Sequence, residues 1–283
     1  MGARPPIGLV KSNLACPSEP TALSPRSRMN VETPWVLPLL FVVGAAAGWM
    51  DSIAGGGGLI TLPVLLNLGL PPADAIGTNK LQAVFGSGSA AWHYGRAGLI
   101  ELRQVIAGVA FTAVGAFVGT LSVQHIRPDY LRMVIPFLLI AIAVYFLVRP
   151  RLGEHDAHPR LASGPFHLVF GLALGFYDGF FGPGTGSFWA MAYVLVLGFN
   201  LTAATAHTKV MNFTSNAVSL ALFAWGGNTR LAAGLTMGVG QLIGARIGSK
   251  MVIRRGAQFI RPIFIAVAMV ISLRLLWQTF TRP

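Results

Sequence analysis

Long apolar runs separated by short polar stretches dominate the chain from residue 35 onward. A helix needs about 20 mostly apolar residues to cross the hydrocarbon layer of a bilayer. Eight runs come close to that length and are predicted to be transmembrane helices: 35–54, 73–93, 102–123, 130–148, 166–181, 201–225, 231–252 and 259–280. The pattern therefore predicts an all-α, polytopic membrane protein.

Two further apolar runs, 59–68 and 187–197, are about half as long, and each follows a glycine-rich break. Irregular backbone at membrane depth is tolerated only inside protein or beside a water-filled cavity. We therefore expect a half-helix after each break, although the glycines could instead serve close helix packing or a turn at the interface. The glycines concerned are Gly55, Gly56, Gly57 and Gly58 in the first break, and Gly182 and Gly184 in the second.

The two halves of the chain resemble each other. A shift of 127 residues places Asp51 on Asp178, and a shift of 129 places Lys80 on Lys209, both in apolar surroundings where chance matches of charged residues are rare. We predict two tandem repeats of four spans, 31–148 and 165–283, joined by a polar linker at 149–164. Because four is an even number, the repeats are expected to run in the same direction across the membrane.

Residues 1–30 differ from the rest of the chain. They are rich in proline, serine and arginine and contain no apolar run long enough for a signal peptide. We expect a disordered tail, with Met29 as a candidate start of translation.

Charge and composition narrow the class of protein further. Charged residues make up 11% of the chain, against about 25% in soluble domains. The net charge of +12 is spread over the loops between apolar runs, which is typical of membrane insertion and argues against nucleic-acid binding. The basic cluster at 246–261 and the acidic Glu32 favour an N-terminus outside the cell. Cys16 is the one cysteine, so neither an intrachain disulfide nor a cysteine-based metal site is expected.

Lys80 and Lys209 each lie within a predicted membrane segment. A charge there is expensive and by default suggests function, here as the counter-charge of an anion. The alternative is that both lysines extend to the interface from a helix end. Polar residues around them complete the predicted substrate site: Thr78, Asn79, Gln82, Thr208 and Asn212.

Asp51 and Asp178 lie three residues after the matched glycines Gly48 and Gly175, and just before the breaks. They could transfer protons in a coupled cycle, pair with the two lysines, or cap a helix end. His207 is a further candidate for proton coupling, since histidine titrates near neutral pH.

Small residues at four-residue spacing predict two helix-packing faces. One face contains Gly115 and Gly119, and the other contains Gly240, Gly244 and Gly248. The chain contains no spacing of residues that argues for nucleophilic catalysis.

Two segments in the first half, AGGGGLITLP at 54–63 and AIGTNK at 75–80, resemble the TauE/SafE family of sulfite exporters, and the matching segments of the second half fit as well. The resemblance covers about residues 35–280. It implies a multi-span transporter of the inner or plasma membrane with duplicated halves, acting on sulfite, sulfonates or other small anions.

The resemblance also marks residues of the expected site. They are Gly55, Gly56, Gly57, Gly58, Thr78, Asn79 and Lys80 in the first half, and Gly182, Gly184, Thr208 and Lys209 in the second. The second half departs from the first where Pro183 enters the break and His207-Thr208 replaces Thr78-Asn79, which argues against a site of two-fold symmetry.

The first hypothesis is therefore a secondary transporter of small anions, with no cofactor, metal or ATP-binding motif. Its expected partners are the lipid bilayer and a small anion, and a homo-oligomer stays open. A membrane-embedded enzyme and an anion channel are the alternatives.

Overall fold

The computed structural model describes residues 35–123 and 155–256, with scattered positions from 258 to 277. All regular secondary structure in the two continuous ranges is helical. The helices are α1 (Leu37–Ala54), α2 (Gly57–Asn67), α3 (Pro72–Arg96), α4 (Leu102–Val123), α5 (Ser163–Phe180), α6 (Thr185–Val196), α7 (Leu201–Trp225) and α8 (Leu231–Arg255). They match six predicted spans and both half-helices. The span at 130–148, most of the span at 259–280, and the tail at 1–30 lie outside the described residues.

Two of the described helices are long and apolar enough to cross a membrane on hydropathy alone, Leu37–Ala54 and Val105–Val123. The helices α2 and α6 are apolar but short. The longer α3, α7 and α8 bury polar side chains such as Lys80, Lys209 and Gln241, which lowers their mean hydropathy. The prediction of eight crossing helices therefore stays a prediction, as do the domain boundaries.

The helices α1 and α2 form a helical hairpin, residues 37–67, which we call hairpin 1. Its two ends meet, because Val36 and Leu40 share one buried cluster with Leu65 and Leu68. The chain reverses at Gly55, whose φ of 76° is a left-handed conformation that glycine adopts without steric cost.

The helices α5 and α6 form a second helical hairpin, residues 163–196, which we call hairpin 2. The ring of Phe166 near its start lies 5.2 Å from the ring of Tyr193 near its end. Gly182 and Gly184 at its tip both have positive φ, 86° and 84°. Each glycine break is therefore the tip of a hairpin that returns to the end of the bundle where it began.

Glycines bring the backbones of two parallel helix pairs into contact. In α1 and α8, Gly44 lies against the backbone of Met237, and Gly244 lies against that of Ala45. The helices α4 and α5 pack in the same way, with Gly115 against the backbone of Leu172. The predicted packing faces are confirmed, and each joins a helix of one half to a helix of the other.

The two hairpins enter the bundle from opposite ends. The base of hairpin 1 lies beside the first turn of α8, since Leu40 and Ala233 share a cluster. The other end of α8 is Gly256, whose neighbour is Thr202 at the start of α7. The base of hairpin 2 lies at that same end. The Tyr193 ring near the end of hairpin 2 stacks on the ring of Phe199, which lies just before the start of α7.

The prediction that the two halves run in the same direction is therefore wrong. The corresponding helices α3 and α7 are antiparallel. Gly77 near the start of α3 lies against Asn228 just beyond the end of α7. At the other end, the backbone nitrogen of Glu101, beyond α3, lies 3.5 Å from Nε2 of His207 near the start of α7. The physical reason is that each hairpin returns to its own side and adds no net crossing. Three predicted spans then remain in each half, and an odd number inverts the second half.

Candidate functional site

The tips of the two hairpins touch in the middle of the bundle. Gly55 lies so close to Gly186 that a Cβ on either residue would overlap the other's backbone. Ser187 Oγ also donates a hydrogen bond to the carbonyl oxygen of Ala54, at 3.0 Å. Because α2 and α6 begin at these tips, the N-termini of both half-helices lie close to the contact.

Lys80 in α3 forms a buried ion pair with Asp178 at the end of α5. Its Nζ donates to Asp178 Oδ1 at 2.9 Å and to the Asp178 carbonyl oxygen at 2.6 Å. The two side chains are 1% and 5% exposed. A lysine held in this way does not reach the interface, so snorkelling is excluded for Lys80.

Lys209 in α7 forms the corresponding ion pair with Asp51 near the end of α1. Its Nζ donates to the Asp51 carbonyl oxygen and lies 3.5 Å from Asp51 Oδ2, with side chains 1% and 17% exposed. Each lysine is thus paired with the aspartate of the other half. This crosswise arrangement excludes snorkelling for Lys209 as well.

The two aspartates make further contacts that hold the tips. Asp51 Oδ1 accepts a hydrogen bond from the backbone N–H of Gly57 at 3.3 Å, which caps the N-terminus of α2. Asp178 Oδ2 accepts a hydrogen bond from Ser215 Oγ in α7. Pairing and capping are therefore observed, and proton coupling stays a prediction.

A cavity of about 30 Å³ lies at the meeting point of the tips. That volume holds about two water molecules. The cavity is lined by Asp51, Gly55, Gly58, Asn79, Lys80, Ala83, Asp178, Gly182, Gly184, Thr185, Gly186, Asn212 and Asn216.

A hydrogen-bond network behind the cavity orients Asn79. Its Oδ1 accepts from Thr61 Oγ1 at 2.5 Å and from Gln82 Nε2 at 2.7 Å. The amide nitrogen of Asn79 lies beside Gly58, where it can donate to a ligand. Gln82 and Thr61 therefore position Asn79. Neither of them is part of the cavity lining formed by the described residues.

Three residues predicted to act directly at the site lie elsewhere. Thr78 Oγ1 accepts from the backbone N–H of Arg230 at 3.0 Å, and Thr208 Oγ1 donates to the carbonyl oxygen of Ala204 at 2.7 Å. His207 packs against the rings of Tyr193 and Phe199. Successive residues of a helix point about 100° apart. The residues next to a lysine in sequence therefore cannot all face the same site as the lysine.

The remaining predicted residues, Gly56, Gly57 and Lys209, flank the cavity without lining it in the part of the chain that is described. Gly57 is the capped first residue of α2, and Lys209 contacts the cavity residue Asp51. Of the two lysines, Lys80 lines this cavity and Lys209 does not, and the role of both in neutralising an anion stays a prediction.

Sequence reasoning missed Thr185, Asn216 and the support of Asp178 by Ser215. A signal was present for Asn216, because Lys209, Asn212 and Asn216 follow the spacing of one helix face in an apolar segment. The sequence gave no such signal for Thr185, because a threonine beside glycines is typical of a turn. In the structure its Oγ1 donates a hydrogen bond to the Gly182 carbonyl oxygen at 2.6 Å.

The placement of Thr208 leads to a prediction. Thr208→Val removes a hydroxyl that bonds within its own helix, so we expect substrate KM to stay within about twofold of wild type because no substrate contact is lost. Initial rates of anion uptake into proteoliposomes over a range of anion concentrations measure this. A large rise in KM with unchanged stability would return Thr208 to the site.

The chain is similar in sequence to known membrane transport proteins. The family model for "Sulfite exporter TauE/SafE" matches residues 40–275. The chain is 47% identical over 247 residues to "Probable membrane transporter protein YfcA" of Escherichia coli, which covers 87% of this chain and 92% of that protein. It is 46% identical over 242 residues to a "Probable membrane transporter protein" of Haemophilus influenzae, which covers 86% and 95%.

A third relative, "Probable membrane transporter protein ORF9" of a Sinorhizobium species, is 44% identical over 241 residues, which covers 85% of this chain and 92% of the relative. No solved structure matches the chain. The family model spans most of the chain, including the tips of both hairpins and both lysine–aspartate pairs. The chain therefore belongs to the sulfite exporter TauE/SafE family of membrane transport proteins.

Proposed function

We propose that this protein is a multi-pass transporter of the cell inner membrane that moves small anions such as sulfite or sulfonates together with protons. The observation that supports this most is the meeting of two half-helix N-termini beside the buried ammonium group of Lys80. A helix N-terminus presents unpaired N–H groups and about half a positive charge. Such termini are ready-made anion sites.

An amide at the cavity adds to the case for a ligand. Asn212 is buried, and its Oδ1 has no hydrogen-bond partner in the part of the chain that the structure describes. An oxyanion accepts hydrogen bonds and does not pair with that oxygen, but the side-chain amide nitrogens of Asn79, Asn212 and Asn216, which line the same cavity, can donate to it.

The tandem repeats are part of the proposal, as inverted copies. Their support is that matched positions make matched contacts: both lysines bind the carbonyl oxygen of the opposite aspartate. At a shift of 129 residues, the bond from Arg230 N–H to Thr78 corresponds to the contact of Glu101 N–H with His207. Inverted repeats with interrupted helices at their interface are typical of secondary transporters.

The charges in the cavity favour coupling to protons. The Lys80–Asp178 pair is neutral as a unit, and an anion that binds Lys80 leaves the Asp178 carboxylate without its partner. An uncompensated buried charge is strongly unfavourable. A proton on Asp178 removes that charge, so anion and proton are expected to enter the site together.

Alternating access follows from how the helices pair. The glycine contacts tie α1 to α8 and α4 to α5. We take α1 with α8 as one body and α4 with α5 as the other, each together with a helix beside it. The contacts between the two sides include the ion pairs Lys80–Asp178 and Lys209–Asp51 and the Gly55–Gly186 contact. We infer that the two bodies rock against each other and that the hairpin tips separate to admit the anion.

Anion-driven acidification tests this function. Purified protein in liposomes containing a pH-sensitive dye is given an inward gradient of sulfite or, in parallel, methanesulfonate. Methanesulfonate is the anion of a strong acid and does not take up a proton near neutral pH. Any acidification it causes therefore reports proton movement through the protein. We expect saturable anion uptake with acidification of the lumen, and for Asp178→Asn anion uptake without acidification.

Protein-free liposomes and the exposed-lysine variant Lys250→Met serve as controls for leakage and for reconstitution. Saturable uptake by the wild type with no change in internal pH would contradict proton coupling. Absence of uptake for both anions would contradict the proposed substrate class, and uptake that rises linearly without saturation would favour a channel.

A further inference from the structure

Each buried lysine binds two kinds of oxygen from a single residue. Lys80 Nζ lies 2.6 Å from the carbonyl oxygen of Asp178 and 2.9 Å from its Oδ1. Lys209 repeats the arrangement with the carbonyl oxygen and Oδ2 of Asp51. An ordinary ion pair needs only the carboxylate. The contact with a backbone carbonyl oxygen, present at both lysines, is therefore an additional feature of these pairs.

The backbone contact reflects where the aspartates lie in their helices. Asp178 is in the last turn of α5 and Asp51 is in the last turn of α1. The C-terminal end of a helix has a partial negative charge. The Asp51 carbonyl oxygen accepts the Gly55 backbone N–H at 2.8 Å, so Lys209 is its second donor, whereas Lys80 supplies a donor to the Asp178 carbonyl oxygen. Each ammonium group therefore binds the negative end of an interrupted helix as well as a carboxylate.

Carbonyl oxygens at the ends of interrupted helices, together with a carboxylate, form the environment in which secondary transporters bind coupling cations. We propose that Lys80 and Lys209 are resident cations: their ammonium groups fill monovalent-cation sites at the hairpin tips, and transport consequently needs no Na⁺. This rests on the proposed function only for its transport measurement, since the sites themselves can be tested by stability.

Chemical rescue tests the proposal. Lys80→Ala deletes three methylene groups and the ammonium group, which together have the shape of n-propylammonium. We expect Lys80→Ala to have a lowered Tm in detergent that n-propylammonium raises by several degrees. Tetramethylammonium at the same ionic strength should not raise it, because it has no N–H donor. The wild type and Lys250→Ala, whose lysine is exposed on α8, should not respond to either ion.

The carboxylate provides the matched control. Lys80→Ala combined with Asp178→Asn keeps the backbone carbonyl but removes the charge, and its response to n-propylammonium should be lost. Lys209→Ala offers the same measurement at the second copy, should Lys80→Ala fail to fold. Equal Tm changes with the two ammonium ions, or an equal response in the control variant, would overturn the proposal, because the rescue would then depend neither on N–H donation nor on the carboxylate.

The transport measurement examines the consequence. Wild-type anion uptake should be the same in sodium and in choline media, and a requirement for Na⁺ would overturn the idea of resident cations. Failure of anion uptake in every medium would instead contradict the proposed function, while the Tm results would still decide whether the lysines fill cation sites.

Discussion

Lys80→Met is expected to abolish anion transport and to destabilise the protein, whereas Lys80→Met combined with Asp178→Asn regains stability without regaining transport. In the wild type both partners of this pair are buried. Breaking a buried ion pair by removing one partner costs about 3–5 kcal/mol, because the remaining charge is left uncompensated. Met fills much of the space of the lysine stem, so a cavity adds little to that loss.

The double variant separates two roles of the lysine. With Asp178→Asn the uncompensated carboxylate is gone, and replacing a whole buried pair by neutral groups of similar volume is often close to neutral in stability. An anion, however, still lacks its counter-charge at the hairpin tips. Stability and function therefore respond differently if Lys80 contacts the anion.

Unfolding by denaturant in detergent and uptake in proteoliposomes measure the two quantities, with Lys250→Met as the exposed control. Transport by the double variant at wild-type rates would show that Lys80 serves structure alone and that the anion binds elsewhere. A single variant as stable as wild type would contradict the buried pair itself.

Local patterns in the sequence were sufficient to place the helices and the breaks. Apolar runs of membrane length predicted α1, α3, α4, α5, α7 and α8 to within a few residues, and the glycine runs located both tips. Charged residues in apolar runs are costly, so Asp51, Asp178, Lys80 and Lys209 stood out as candidates. All four were found in two ion pairs at the hairpin tips.

The direction of the second half and the partners of the lysines could not be predicted in this way. Lys80 and Asp178 are 98 residues apart, and nothing in either segment specifies the other. The inversion depends on whether each half-helix returns or continues after its break. That is decided by tertiary packing, such as the buried cluster that Leu40 and Leu65 share.

The polar groups of the site are unequal in the two halves. The first half contributes the amide of Asn79, held by Gln82, whereas the second contributes Asn212 and Asn216. At a shift of 129 residues, Asn79 and Gln82 correspond to Thr208 and Met211, and Asn212 corresponds to Ala83. The helices can be near-symmetric while the polar lining of the cavity is not, so we expect the anion to bind off the axis that relates the two halves.

The contact between the hairpin tips gives the second large prediction. Gly55→Ala is expected to abolish transport and to lower stability by much more than Gly98→Ala. Gly55 has a φ of 76° and Gly98 a φ of 73°, so a Cβ at either position incurs a similar backbone strain of about 1–2 kcal/mol. They differ in surroundings, because a Cβ at Gly55 overlaps the backbone of Gly186, whereas one at Gly98 meets nothing within 4 Å.

The difference between these variants isolates the tip contact, since overlap with backbone adds about 1–3 kcal/mol to the strain that both share. Tm in detergent and initial uptake rates compare them directly. We expect Gly98→Ala to transport at close to the wild-type rate and Gly55→Ala not to transport at all. Because the half-helix N-termini meet only where the tips touch, equal transport by the two variants would mean that this contact is dispensable and that the anion site lies away from the hairpin tips.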